Sequence, residues 1–328
     1  MDLDARRKKA AILNVIAEAG SPLGSSKIAE ELKRRGIVLK GRMVRYYLEE
    51  TDRLGFTTNL GHKGRKITEI GRKELAAAVA IDRVGFISDF VDELAYNMTF
   101  SPQTGSGTVI LNLSTMPISA IDQAKNIAKE VLDRRLGMGR LLAIATDSNG
   151  FAARHEVPED KVAFGTLCSV NLNGVLQANG IPVTSRFGGL LEMRDNNYVR
   201  FTQIINYNGT TIDPIEIFIK GKMTRVCQAA RTGTGTIGAS FREIPVAALP
   251  KARQIMEDLE RMGMGGVLTI GEPGMRLLDV PVPQYRVGII VAAGINPIAA
   301  LEEEGVPTES FAMDTLCDFE EFLPASRL

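Results

Sequence analysis

The residues Thr104, Gly105, Ser106, Gly107 and Thr108 come back as Thr232, Gly233, Thr234, Gly235 and Thr236, 128 positions later. At the same offset Pro117 meets Pro245 and Ala124 meets Ala252. The run Arg135, Leu136, Gly137, Met138, Gly139 returns as Arg261, Met262, Gly263, Met264, Gly265, with the offset now 126. At offset 125, Val162, Asn171, Leu176, Gly180, Pro182 and Ser185 meet Val287, Asn296, Leu301, Gly305, Pro307 and Ser310. Matches that hold their order while the offset drifts by a few residues mark two like units whose loops differ in length.

Apolar spacing gives both copies the same elements. Strands are expected at 109–113 and 237–241, helices at 120–135 and 248–261, and strands at 141–145 and 267–270. Strands at 161–168 and 286–292, helices at 172–179 and 297–304, and a last strand beyond a Gly-Ile-Pro or Gly-Val-Pro turn complete each copy. The expected fold is α/β (α+β), with duplicated βαββαβ copies at about 104–200 and 232–322 forming layers related by a pseudo-twofold axis. Between them, 198–207 and 215–219 read as added strands.

A different pattern precedes the repeat. Ile12, Leu13, Ile16 and Ala19 recur at helical spacing until Gly20 and Pro22 stop them. A second helix, capped by Ser25 or Ser26, turns Ile28, Ala29 and Leu32 inward. The third, about 42–54, buries Val44, Tyr47, Leu48 and Leu54 and leaves Arg42, Met43, Arg45, Tyr46 and Glu49 outward. Two short strands, at 55–58 and 66–68, flank a turn with His62, Lys63 and Arg65. Three helices and a basic hairpin make a winged helix-turn-helix over 1–80. There the third helix enters the major groove, so Lys40, Arg42, Arg45 and Tyr46 are candidate contacts to DNA, and His62, Lys63 and Arg65 are candidate wing contacts. A solvated basic face, or a winged helix that docks protein, is the alternative. Over 81–103, Val84, Ile87, Val91 and Leu94, with Phe86 and Phe90, suggest an amphipathic connector helix that packs in a core or pairs with its copy.

Charge is partitioned in the same way. The chain is neutral overall, yet 1–80 holds 17 Lys and Arg against 10 Asp and Glu, and the remainder 22 against 29. A basic module for a polyanion followed by an acidic body fits that split. No apolar run reaches membrane-spanning length and no apolar leader precedes the first helix, which places the protein in the cytoplasm as an expectation. Cys168, Cys227 and Cys317 are far apart, and with only His62 and His155 present neither a metal cluster nor a Cys/His or Ser/His/Asp arrangement emerges. No cofactor and no enzyme activity are expected. The weighed alternatives are an enzyme acting on a small keto acid, with Arg231 and Asp147 as residues to test, and a ligand-free dimerisation or co-repressor platform.

Gly233, Gly235 and Gly238 imitate a dinucleotide fingerprint, but a strand follows them instead of a helix and no ribose-binding acid stands downstream. Loops of this composition can turn N–H groups and hydroxyls toward an anion, or can simply be tight turns. Thr104, Ser106, Thr232, Thr234 and Thr236 are therefore candidate ligand residues of two loops facing one cleft, with Arg231 as the cationic grip. Arg186 and Gly188 form a second candidate segment, with Thr166 and Asn171 beside it.

These features together resemble the nitrogen-regulation repressor family NrpR. The resemblance rests on Val44, Arg45, Tyr46, Tyr47 and Leu48, on Tyr96, Asn97, Met98, Thr99 and Phe100, and on the duplicated Thr-Gly-x-Gly-Thr body at 104–328. It implies a repressor of nitrogen-fixation and nitrogen-assimilation genes that binds a palindromic double-stranded DNA operator as a homodimer and is released by 2-oxoglutarate. Some relatives carry two such bodies, so a second NrpR-type protein is an implied partner.

Overall fold

The computed structural model describes residues 3–19, 21–82, 86–153 and 157–327. Gly20, Val84 and His155, which figure in the reading above, lie outside them. The chain divides into two compact units, Met1–Val84 and Gly85–Leu328.

In the first unit α1 (Leu3–Glu18), α2 (Ser25–Arg34) and α3 (Gly41–Arg53) precede a hairpin of β1 (Thr57–Asn59) and β2 (Arg65–Ile67), and α4 (Glu69–Asp82) follows. Residues three and four apart fall on one helix face, so Ile12, Leu13 and Ile16 meet Ile28 and Leu32, and Val44, Tyr47 and Leu48 close the core with Ile67. Each such aliphatic side chain contributes about 1.5–3 kcal/mol by leaving water. Leu23 forms a single antiparallel bridge to Arg65 at the edge of the hairpin. Two local expectations are corrected. The cap position of α2 is Gly24, with no side-chain cap bond, because Ser25 and Ser26 already lie in the helix. Leu54 is exposed because it falls at the C-cap of α3, where the helical stripe has ended.

The second unit opens with α5 (Phe86–Asn97). This connector segment sinks Ile87, Val91, Ala95 and Met98 into the unit's own core. The first series of elements is β3 (Thr108–Pro117), α6 (Ile121–Asp133), β4 (Leu141–Ala145), β5 (Lys161–Leu167), α7 (Asn171–Ala178) and β6 (Thr184–Arg194). After β7 (Asn197–Asn206), α8 (Pro214–Lys220) and α9 (Val226–Thr232), the same order returns. It runs β8 (Gly235–Pro245), α10 (Leu249–Arg261), β9 (Val267–Ile270), β10 (Arg286–Ala292), α11 (Asn296–Glu303) and β11 (Glu309–Asp318), with β12 (Leu323–Pro324) at the end.

Two five-stranded antiparallel sheets result, ordered β11-β3-β5-β4-β12 and β7-β6-β8-β10-β9. The final strands are exchanged: β6 of the first half pairs with β8, and β11 of the second pairs with β3. Neither half therefore completes its own sheet. Helices follow the same rule, α6 packing on α11 and α10 on α7. Residues 215–219, read as a strand, lie in α8. Asp213 caps that helix and Pro214 opens it, and a cap with a proline at the first helical position outweighs the β-branched run behind them.

Candidate nucleic-acid interface and a buried polar cavity

In the first unit, α3 buries Val44, Tyr47 and Leu48 and so turns Arg42, Arg45 and Tyr46 to solvent, with Lys40 exposed at its N-cap. None of Lys40, Arg42 and Arg45 has an ion pair among the described residues, whereas Arg34 is held by Glu30 and Glu31, Arg35 by Glu18 and Arg53 by Glu50. His62 and Lys63 sit exposed in the single turn joining β1 to β2. Unneutralised cations on one helix face and a hairpin tip suit a phosphodiester backbone.

Arg65 departs from its expected role. It belongs to β2, and its Nε donates to Asp52 Oδ2 at 2.8 Å, while the Thr57 hydroxyl donates to Asp52 Oδ1 at 2.6 Å. Thr51 and Thr57 hydroxyls meet at 2.9 Å beneath them. Arg65 therefore fastens the hairpin to the end of α3, and exposed Lys66 takes the outward place beside it. Arg65→Ala is expected to cost about 1–2 kcal/mol of first-unit stability, read by urea unfolding. A cycle with Asp52→Asn that shows no coupling would contradict this role.

In the second unit the candidate loops do not face one cleft. Thr104 and Ser106 close a tight turn on themselves: the Ser106 hydroxyl donates to Thr104 Oγ1 at 3.0 Å, and Gly105 N–H donates to Ser101 O at 2.9 Å. This turn lies beside Arg261 and Met262. Thr232 ends α9 and Gly233 is its left-handed cap at φ 74°. Gly233 N–H donates to Ala229 O, the Thr232 hydroxyl to Gln228 O at 2.8 Å, and Thr234 Oγ1 accepts from Asp195 N. A helix C-terminus directs carbonyls outward, which repels an anion. Thr236 lies in β8, its carbonyl accepting from Arg225 N. Arg231 is bonded to Glu130 at 3.1 Å and Glu304 at 2.6 Å, and these carboxylates hold its guanidinium above its ordinary pKa. These glycines thus form turns and a cap.

Asn171 has a structural task. Fully buried at the start of α7, it accepts from Ile110 N at 2.7 Å and donates to Ile110 O and Cys168 O at 2.7 and 2.9 Å. Asn296 repeats this at the start of α11, accepting from Gly238 N at 2.9 Å and donating to Gly238 O at 2.8 Å.

The other candidates gather near a cavity lined by Asn112, Cys168, Ser169, Tyr207, Asp213, Ile215, Ser240, Gly294, Ile295 and Ala312. It draws on both halves and on the inserted segment. Thr166 accepts from Asn112 Nδ2 at 3.1 Å, and a methyl added at Gly188 would touch the Tyr207 hydroxyl at 3.3 Å. Arg186 pairs instead with buried Glu243 at 2.6 Å. Next to the cavity Arg242 is 1% exposed, and its Nη2 donates to Ser169 Oγ at 3.0 Å. Its Nε and Nη1 have no hydrogen-bond partner among the described residues. Burial lowers its pKa, and the Tyr207 and Cys168 groups oppose that shift. Burial also pushes the Cys168 thiol up to about 12, so it stays protonated.

Sequence reading passed over Arg242, Ser169, Tyr207 and Asp213. The available signal was a difference between the two matching stretches of sequence: Arg242 stands at the position of Ser114, and Ser169 at that of Gly294.

Asp213 gives the cavity a pH response. Burial, reinforced by Glu216, raises its carboxyl from 3.8 to about 6, although its Oδ1 accepts from Ile215 N and Glu216 N. The folded state binds this proton more tightly than the unfolded chain, so the penalty is absent below pH 3.8 and complete above about 6. Asp213→Asn keeps the capping acceptor and escapes the penalty. Its stability relative to wild type is expected to grow between those pH values, reaching about 1–3 kcal/mol. Urea titrations across that range check this, and a constant difference counts against it.

A family model described as NrpR regulatory domains NRD1 and 2 matches residues 84–323, and one described as the Ribonuclease R winged-helix domain matches 10–75. A curated relative, global nitrogen regulator NrpRI of Methanosarcina mazei, is 33% identical over 98% of both chains. Global nitrogen regulators NrpR of Methanocaldococcus jannaschii and Methanococcus maripaludis are 32% and 28% identical over 97% and 94% of this chain, which spans 55% and 53% of their lengths. The crystal structure of a nitrogen repressor-like protein from Methanococcus jannaschii superposes with a TM-score of 0.62 at 26% identity, over 74% of this chain and 100% of that one. Among the described residues no helix is long and apolar enough to cross a membrane, and no group of His, Cys, Asp and Glu could hold a metal.

Proposed function

The chain belongs to the NrpR family of nitrogen regulators, and from that premise we propose that it represses nitrogen-fixation and nitrogen-assimilation genes by holding operator DNA as a dimer until 2-oxoglutarate releases it. Its relatives are named as regulators, not enzymes. The observation that carries the DNA half of the reading is the set Lys40, Arg42 and Arg45 at the start and on the outward face of α3, without an ion pair among the described residues, with His62 and Lys63 at the hairpin tip. Two such helices on a twofold axis read half-sites one helical turn apart, which favours a palindrome.

Release follows from a population shift. An effector that binds one arrangement of the dimer better than the other changes the spacing of the two α3 helices, and only its differential affinity does so. We also read the repeated element order and the paired Asn171 and Asn296 as the outcome of a duplication. Electrophoretic shifts of promoter DNA with and without 2-oxoglutarate test this reading. Binding that 2-oxoglutarate leaves unchanged removes the effector, and no shift at low salt removes the repressor.

A further inference from the structure

A guanidinium taken out of water costs several kcal/mol unless charge and hydrogen bonds replace its hydration. Among the described residues Arg242 meets one neutral hydroxyl, that of Ser169, and its Nε and Nη1 are bare. No carboxylate lies within ion-pairing distance among the described residues, because Glu243, next along β8, points to the opposite face and is held by Arg186. The adjacent cavity is walled by hydroxyl and amide groups from Ser169, Tyr207, Ser240 and Asn112 and by the Asp213 carboxyl, which burial and Glu216 push toward its neutral, protonated form. Donors and a buried cation converge there from four stretches of chain: β3, the end of β5, the segment after β7, and β8, which carries Ser240 and Arg242.

Resting on the reading that the second unit senses a small acid, we infer that Arg242 is its carboxylate-binding residue, gripping one carboxylate of a short oxo- or dicarboxylic acid. Ser169 orients the guanidinium and Tyr207 faces the ligand. The copies differ where this requires it, since Ser114 and Gly294 occupy the equivalent positions and leave the pseudo-symmetric site without a cation.

The cavity also supplies the coupling. Its free space is close to that of one water molecule, so an acid reaching Arg242 must part the walls. Those walls come from both halves: Gly294 is so close to Leu167 that an added methyl would overlap that residue's carbonyl oxygen. Binding therefore favours an arrangement in which the two halves are set differently, the differential affinity a release mechanism needs.

The test uses the full chain with 2-oxoglutarate, glutarate, succinate, pyruvate, chloride and phosphate, each by calorimetry and heat stability. Wild type should bind at least one of the four acids, and Arg242→Met should bind it at least about 100-fold more weakly. The variant should melt no lower than wild type, because an uncompensated buried charge has been removed. Ser169→Ala should weaken the same acid about 10-fold and melt somewhat below wild type, since it strands the buried Nη2 as well, and it decides the matter should Arg242→Met not fold. If another acid binds through Arg242 while 2-oxoglutarate does not, the effector named above falls and the site stands. If wild type and Arg242→Met respond alike to every acid, the site is overturned. Chloride or phosphate matching the best acid in wild type overturns the carboxylate assignment.

Discussion

Arg42→Ala combined with Arg45→Ala is expected to weaken binding to promoter DNA by roughly 100- to 10,000-fold, and to lower the slope of log affinity against log salt by about two. Both side chains project from α3 on the side away from Val44, Tyr47 and Leu48, so the double variant should keep its fold within about 0.5 kcal/mol. The size follows from their lack of ion-pair partners among the described residues. Arg34 is the matching control, because Glu30 and Glu31 already neutralise it, and Arg34→Ala should change affinity less than about threefold. Fluorescence anisotropy at three salt concentrations measures both quantities. Equal losses for the double variant and the control would place the DNA elsewhere.

Much of this architecture was legible because it is written in spacing. The helices of the first unit follow from apolar residues three and four apart, and the order of elements in the second follows from strand and helix periods read twice. What spacing does not carry is pairing between distant strands. Nothing local in residues 184–194 or 309–318 says that each joins the sheet of the other half, since sheet partners are chosen by the packing of both halves together. Residues 215–219 show the reverse failure, where a β-branched run hid a helix whose cap and proline stood directly before it.

The sites divided along a related line. Outward cations of α3 were legible because the buried positions of the same helix fix which side faces out. Arg65 was not, because its partner Asp52 is thirteen residues away on another element. In the body, small residues beside glycine were read as an anion cradle, yet such sequences end helices equally well, and Gly233 does so. The cavity arises from residues between 112 and 312 that share no motif. The marks it left in the sequence were differences between matching positions, Arg242 opposite Ser114 and Ser169 opposite Gly294.

Asn296→Ala is expected to cost the second unit about 3–6 kcal/mol, since it strands three buried backbone groups at about 1–3 kcal/mol each. Those groups are Gly238 N–H, Gly238 C=O and the Leu136 C=O, to which Asn296 Nδ2 donates at 2.6 Å. A loss of this size approaches the whole stability of an ordinary domain. Asn171→Ala strands the corresponding pair at Ile110 and the carbonyl of Cys168 in its own half. Leu136, by contrast, belongs to the other half, so Asn296 also ties the halves together and its loss should be the larger of the two. The chain has no tryptophan, so calorimetry is the suitable readout, with the first unit's transition unchanged as internal control. An Asn296→Ala transition within about 0.5 kcal/mol of wild type would mean that water reaches these groups and that the clamp is not structural. Were Asn171→Ala instead to retain full stability but lose acid binding, Asn171 would return to the ligand site from which its hydrogen bonds now exclude it.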